Sequence, residues 1–152
     1  MNPAIFREYD IRGVADRDYD ADFARRLGVA YAVFVAPRGV RRVAVGRDCR
    51  LTSDKYAEAL KHGLRSSGLD VVDLGMCPTP LVYFSLFSID VGGAIQVTGS
   101  HNPPDQNGFK ICVGKATIHG DDIQGLRRII EDGRTLTGAT RGAEERFAII
   151  PA

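Results

Sequence analysis

The sequence predicts a three-layer α/β/α domain built on a four-stranded, mostly parallel but mixed sheet. Two observations carry the prediction. Short apolar runs of strand length alternate with stretches of helical periodicity from residue 20 to residue 131. One pair of such runs, residues 93–97 and 109–113, is joined by a polar loop with no helix between them. Those two strands can therefore be antiparallel neighbours in an otherwise parallel sheet. The 152 residues, 44% apolar and 26% charged, suffice for one domain with its own core.

Taken in order, residues 5–13 read as a polar and aromatic lead-in. A helix follows over 20–35, with Phe23, Leu27, Ala30, Tyr31 and Phe34 on one face, ended by Pro37 and Gly39. Val43, Ala44 and Val45 make 42–46 a buried strand, and residues 47–51 are the loop at its carboxyl end. Ser53 is placed to cap a second helix that runs to residue 67 and stops at Gly68. Residues 70–74 form the next strand, and Thr79-Pro80 opens a third helix as an N-cap and N1 pair. Strands at 93–97 and 109–113 follow. Asp121 and Asp122 then supply first-turn charge to a last helix ending near residue 131. Beyond Asp132 the periodicity fades. Residues 1–135 are read as the domain, and 136–152 as a linker or the start of a following domain, in which 147–150 could begin a strand.

Composition excludes several classes. A formal net charge of +1 argues against nucleic-acid and membrane-surface partners, and the cluster Arg38, Arg41 and Arg42 reads as a solvated loop. No apolar run is long enough to span a membrane, and residues 1–12 lack a signal-peptide core, so a cytoplasmic location is expected. Cys49, Cys77 and Cys112 are odd in number and widely spaced, the pattern of free thiols.

The chemistry-bearing segment is Thr98-Gly99-Ser100-His101-Asn102-Pro103-Pro104, followed by Asn107-Gly108-Phe109-Lys110. It lies at the carboxyl end of a buried strand, where ligands of α/β sheets bind. Glycine and two prolines shape the loop tightly. A serine held there beside a histidine, an asparagine and a lysine has the makings of an activated nucleophile, with Lys110 as its partner or as the cation that neutralises a phosphate. On composition alone, a plain turn rich in turn-formers is the commoner explanation. Other motifs fail. From Gly108 to Ala116 the spacing is one residue too long for a P-loop, Ala116 cannot ligate a metal, and neither G-x-S-x-G nor G-x-G-x-x-G is present.

Three segments in order resemble the α-D-phosphohexomutase family (phosphomannomutase/phosphoglucomutase): the serine loop with Asn107-Gly108-Phe109-Lys110, residues 6–13 (F-R-E-Y-D-I-R-G), and residues 45–53 (V-G-R-D-C-R-L-T-S). Gln106 before N-G and Cys49 in the variable slot are the departures, and Gly99 for the commoner alanine is within the family's range. The resemblance implies that this is the first, phosphoserine-bearing domain. Ser100 would carry a phosphoryl group passed to a hexose phosphate and recovered through a hexose 1,6-bisphosphate, which would also serve as activator, and its phosphate would be one ligand of a Mg²⁺ ion. His101 and Lys110 would assist proton transfer or charge neutralisation, and Tyr9 and Arg12 would reach the site from the N-terminal segment. Asn102 and Arg47 are weaker substrate-binding candidates. Asn102 is better read as shaping the loop, and Arg47 as pairing with Asp48.

The family's D-G-D-x-D-R metal loop, G-E-x-S-G-H sugar loop and R-x-S-G-T-E-P phosphate loop are not in this sequence. The remaining Mg²⁺ ligands and the sugar site are therefore expected in downstream domains, the chain being a domain-length piece without useful turnover of its own. Three rival readings remain. A phosphoglucosamine mutase is disfavoured by residues 6–13 and by Phe109. The others are a non-catalytic phosphoprotein or interaction module of the same fold, and an unrelated domain holding a free anion.

Overall fold

The structure, a computed structural model, describes residues 1–150. Pro151 and Ala152, the end of the stretch read as a linker, lie outside the described residues. The regular elements are β1 (Ile11–Val14), α1 (Ala21–Val35), β2 (Arg42–Arg47), α2 (Ser53–Ser66), β3 (Asp70–Met76), α3 (Thr79–Ser88), β4 (Gly93–Val97), β5 (Gln106–Val113), β6 (Ala116–Thr117), α4 (Asp121–Asp132) and β7 (Glu144–Arg146).

Val43, Ala44 and Val45 of β2 lie at the middle of one sheet ordered β1-β5-β4-β2-β3-β7, with β6 paired to β5. Pairing is parallel for β2 with β3, β2 with β4 and β3 with β7. It is antiparallel for β4 with β5, β1 with β5 and β5 with β6. The antiparallel pair expected on either side of the Ser100 loop is thus present. The sheet has seven strands among the described residues rather than four, with as many antiparallel as parallel pairings. The three additional strands are short. Glu144-Glu145-Arg146 is wholly charged, and Ala116-Thr117 spans two exposed residues. Such strands are held by backbone ladders, which leave no hydrophobic periodicity to read.

The alternation of a strand sorts the core. Val43, Val45, Val71, Ile95 and Val97 belong to the layer under α1, α2 and α4, together with Phe23, Leu27, Tyr31, Leu60, Leu64 and Ile123. Ala44, Val72 and Ala94 belong to the opposite layer, covered by Val82 and Leu86 of α3. This is the three-layer arrangement. The Asp20 side chain caps α1 by accepting from Phe23 N at 2.9 Å. Thr52 is the cap position of α2, and Ser53 is its first helical residue. The Ser53 hydroxyl is not a cap because it donates to Asp48 instead.

Helices α1 and α2 meet through glycines. A Cβ on Gly63 would lie 2.0 Å from the Arg25 carbonyl oxygen, and one on Gly28 would lie 2.5 Å from that of Leu60. Both obstacles are backbone. Gly63→Ala is therefore expected to destabilise the chain by about 1–3 kcal/mol, read as a lower urea midpoint. Helix propensity alone would give the opposite sign, so an unchanged or raised midpoint would refute the close approach.

The tail is tied to the sheet edge. Lys61, only 3% exposed, reaches Glu58 at 2.7 Å, Asp73 at 3.0 Å and Glu144 at 3.3 Å. Arg65 Nε donates to Gly142 O at 3.0 Å, and Ala143 N donates to Asp70 Oδ1 at 2.7 Å. The strand lies at Glu144–Arg146, and residues 147–150 form none. The loops after β2, β3 and β4 leave these parallel strands at one end of the sheet, and the Ser100 loop is among them.

Candidate active site

Ser100 has φ 54°, the left-handed region that a side chain other than glycine, asparagine or aspartate rarely occupies. The loop is over-determined by hydrogen bonds that compensate for this. Asp48 follows β2 directly, and its Oδ2 accepts from Thr98 Oγ1 at 2.9 Å and from Gly99 N at 3.0 Å. Thr98 Oγ1 in turn accepts from Ser100 N at 2.9 Å. The other Asp48 oxygen accepts from Arg50 N at 3.1 Å and from the Ser53 hydroxyl.

Arg50 closes the loop from below. Its Nη1 donates to Pro103 O at 2.6 Å and Gln106 O at 3.1 Å, and its Nη2 to Ser100 O at 3.0 Å and Asn102 O at 2.7 Å. Its Nε lies 3.3 Å from Asp48. A planar fork of five donors suits four converging carbonyls. The guanidinium packs so closely on Gly99 that a Cβ there would stand 2.2 Å from Arg50 Nε. Asn107, fully buried, fixes the far end of the loop by donating to Thr52 Oγ1 and Ser53 Oγ, both at 2.9 Å, and accepting from Gly108 N at 2.9 Å.

Ser100, His101, Asn102 and Lys110 line one cavity of about 1030 Å³, whose far wall includes Thr79 and Tyr83. Ser100 and His101 are exposed, and Lys110 is half-buried on β5. Asn102 bridges the loop, its Nδ2 donating to Gly99 O at 2.8 Å and its Oδ1 accepting from Arg12 Nη1 at 3.4 Å. Arg12, on β1, is thereby joined to the loop, and its Nη2 donates to Asp10 Oδ2 at 2.6 Å. The same carboxylate oxygen lies 3.6 Å from Lys110 Nζ.

Tyr9 is 69% exposed, stands 6.3 Å from the His119 ring and is not among the residues lining the cavity. Arg47 pairs with Asp54 at 3.4 Å and does not line the cavity either. The expected Arg47–Asp48 pair is thus corrected to Arg47–Asp54 and Arg50–Asp48. Residue 47 ends β2, whereas residue 50 lies in the loop beneath the serine segment. Sequence reading did not assign Arg50 its inward role or Asp10 any role. The second arginine of R-D-C-R and the acid between Tyr9 and Arg12 were the available signals.

Burial pushes the Asp48 carboxyl up, but hydrogen bonds from Ser53, Arg50 N, Thr98 and Gly99 N outweigh it and hold the group below its ordinary value. The depressed folded value means that the contribution is fully present above the unfolded carboxyl range, near 4. It is lost as pH falls from there through the lower folded value. Stability should therefore decline over that acid window, and Asp48→Asn should flatten the decline in urea titrations taken at successive pH values. An equal acid slope in both proteins would remove Asp48 from this role.

No cluster of three or more His, Cys, Asp or Glu side chains placed for a metal ion occurs among the described residues. Asp48 faces the loop donors, and Asp10 faces two cations. Neither offers a free metal face, so these residues alone do not make a metal site. No helix of the described residues is long and apolar enough to cross a membrane.

A family model described as "Phosphoglucomutase/phosphomannomutase, alpha/beta/alpha domain I" matches residues 3–136. The phosphoglucomutase of Neisseria meningitidis serogroup B is 40% identical over 143 residues, covering 93% of this chain and 31% of the relative. The phosphomannomutase/phosphoglucomutase of Pseudomonas aeruginosa is 41% identical over 148 residues, covering 97% of this chain and 32% of the relative. The crystal structure of a phosphoglucomutase/phosphomannomutase family protein from Burkholderia thailandensis superposes with a TM-score of 0.91 at 44% identity, covering 98% of this chain and 34% of that one. The chain spans about a third of the length of the curated relatives it matches.

Proposed function

The chain belongs to the phosphoglucomutase/phosphomannomutase family as its domain I, and from that premise we propose that Ser100 is the phosphoryl carrier of a hexose-phosphate mutase. The observation that carries the reading is the Ser100 loop itself: a serine held at φ 54° by Asp48, Thr98 and Arg50, open to the cavity it shares with His101 and Lys110. Phosphoryl transfer needs in-line positioning and positive charge more than covalent chemistry. The loop supplies the first, and Lys110, which lines the cavity, supplies part of the second; Arg12 does not line the cavity and is joined to the loop through Asn102.

In the forward half-reaction the bond from phosphorus to Ser100 Oγ breaks as a sugar hydroxyl oxygen takes the phosphoryl group. The hydroxyl proton passes by way of the His101 imidazole to the departing Ser100 Oγ, and a hexose 1,6-bisphosphate results. After the sugar reorients, Ser100 Oγ recovers the other phosphoryl group and the proton returns to the sugar oxygen. Lys110 offsets charge on the non-bridging oxygens during each transfer. Asn102 acts by shaping the loop. Arg47 is no longer offered as a substrate contact, and Tyr9 would take part only where sequence beyond this chain completes the site.

A Mg²⁺ ion would screen phosphoryl charge. This chain would offer it only the phosphate on Ser100, so its other ligands and the sugar-binding groups are assigned to downstream domains. Turnover by these residues alone should accordingly be negligible. The substrate class is hexose phosphates, and a cytoplasmic location suits them. The test is peptide mapping of the native protein purified from its source. Phosphate on Ser100 is the expected result, and a native protein with Ser100 unmodified would overturn the reading.

A further inference from the structure

Asp10 is a buried carboxylate, 6% exposed, facing two cations across the N-terminal strand. The two contacts are unequal. Arg12 Nη2 makes a short charge-assisted hydrogen bond of 2.6 Å to Oδ2. Lys110 Nζ stands 3.6 Å from the same oxygen, within ion-pair range but beyond hydrogen-bond length. Arg12 is further fixed by Asn102. Lys110 has no other ion-pair partner among the described residues, and it lines the cavity with Ser100. One carboxylate shared by two cations leaves one positive charge uncompensated, and the looser cation is the one free to move.

Resting on the reading of Ser100 as phosphoryl carrier, we infer that Asp10 is the counter-ion that parks Lys110 while Ser100 is unmodified and yields it when an anion occupies the site. Asp10 is a positioning residue, since it acts through Lys110 and not on the phosphoryl group. A phosphoryl group brings close to two negative charges, against one shared carboxylate, so the lysine moves toward it. When the group leaves with the sugar, Asp10 takes the lysine back. The competition keeps the site from holding its phosphoryl too tightly. In a cycle where Ser100 must both give and recover the group, a permanently clamped lysine would favour one half-reaction at the expense of the other.

The test uses inorganic phosphate on the chain with Ser100 unmodified. Asp10→Asn keeps an acceptor for Arg12 but removes the charge that competes for Lys110. Phosphate should bind this variant about tenfold more tightly than the parent by calorimetry, within the range of ordinary coupling between two ligands of one group. The gain should vanish when Lys110→Met is added. Equal or weaker binding by a folded Asp10→Asn protein would overturn the inference, as would a gain that survives Lys110→Met. If Asp10→Asn fails to fold, carboxyl-carbon NMR of the parent decides. Saturating phosphate should shift the Asp10 signal in the parent and not in Lys110→Met, and an unmoved signal refutes the parking role. The mutase reading fails separately, on an unphosphorylated Ser100 in the native protein.

Discussion

Replacing Ser100 by alanine in the native protein should leave no phosphate on the loop and lower conversion of hexose 1-phosphate to 6-phosphate by about three orders of magnitude or more, the scale seen when a nucleophile is deleted. The hydroxyl is the only group removed, and the proposed chemistry makes and breaks the bond of its oxygen to phosphorus in every turnover. The backbone adds an internal control. Ser100 sits at φ 54°, where an L-residue other than glycine costs roughly 1–2 kcal/mol. Ser100→Gly should therefore be as inactive as Ser100→Ala yet unfold at a higher urea concentration. Inactivity caused by a disordered loop would instead lower stability and activity together in both variants. Conversion by either variant at a rate near that of the parent would end the case for Ser100.

The second large effect is at Arg50. Its side chain is 15% exposed and serves four loop carbonyls and Asp48. Arg50→Ala leaves those acceptors without their donor and Asp48 without its cation. A loss of about 3–5 kcal/mol is expected, the range for breaking a buried charged network by removing one partner. Arg50→Lys should recover little, because one ammonium cannot reproduce a planar fork. Urea unfolding gives the magnitude, and amide exchange at residues 98–106 gives the location. Phosphoryl uptake on Ser100 should fall in step with lost protection, since the positioning of the serine depends on the staple. Unchanged protection in Arg50→Ala would show that the loop holds its shape without it.

These two residues also mark how far the sequence can be read. Strand 93–97 agrees with the structure residue for residue, and α1 follows its expected stripe, because both bury apolar side chains with a clear period. Phe34 is the exception. It is only partly buried and carries the Arg38 guanidinium 4.5 Å above its ring. The strands at residues 11–14 and 144–146 were not legible because a partner's backbone, far away in sequence, makes them strands. The site divides the same way. Ser100, His101 and Lys110 are recognisable by type and order, and they do share a cavity. Which arginine of R-D-C-R turns inward depends on where β2 ends, and that is a tertiary fact. Asp10 was invisible because its role exists only once β1 is laid against β5.

The position of β1 has a consequence for how the protein is made. Ile11–Val14 leave the ribosome early, but their pairing partners, residues 106–109 of β5, are among the later parts of the sheet to be synthesised. The first strand has no partner while α1, α2, α3 and strands β2 to β4 are being made, and its pairing closes a loop whose ends lie far apart along the chain. Only once β5 has been made can Asp10 and Arg12 be brought to Lys110, and α4 and β7 follow it along the chain. A chain ended between residues 100 and 105 would carry the serine without Lys110 and without the strand against which β1 places Arg12.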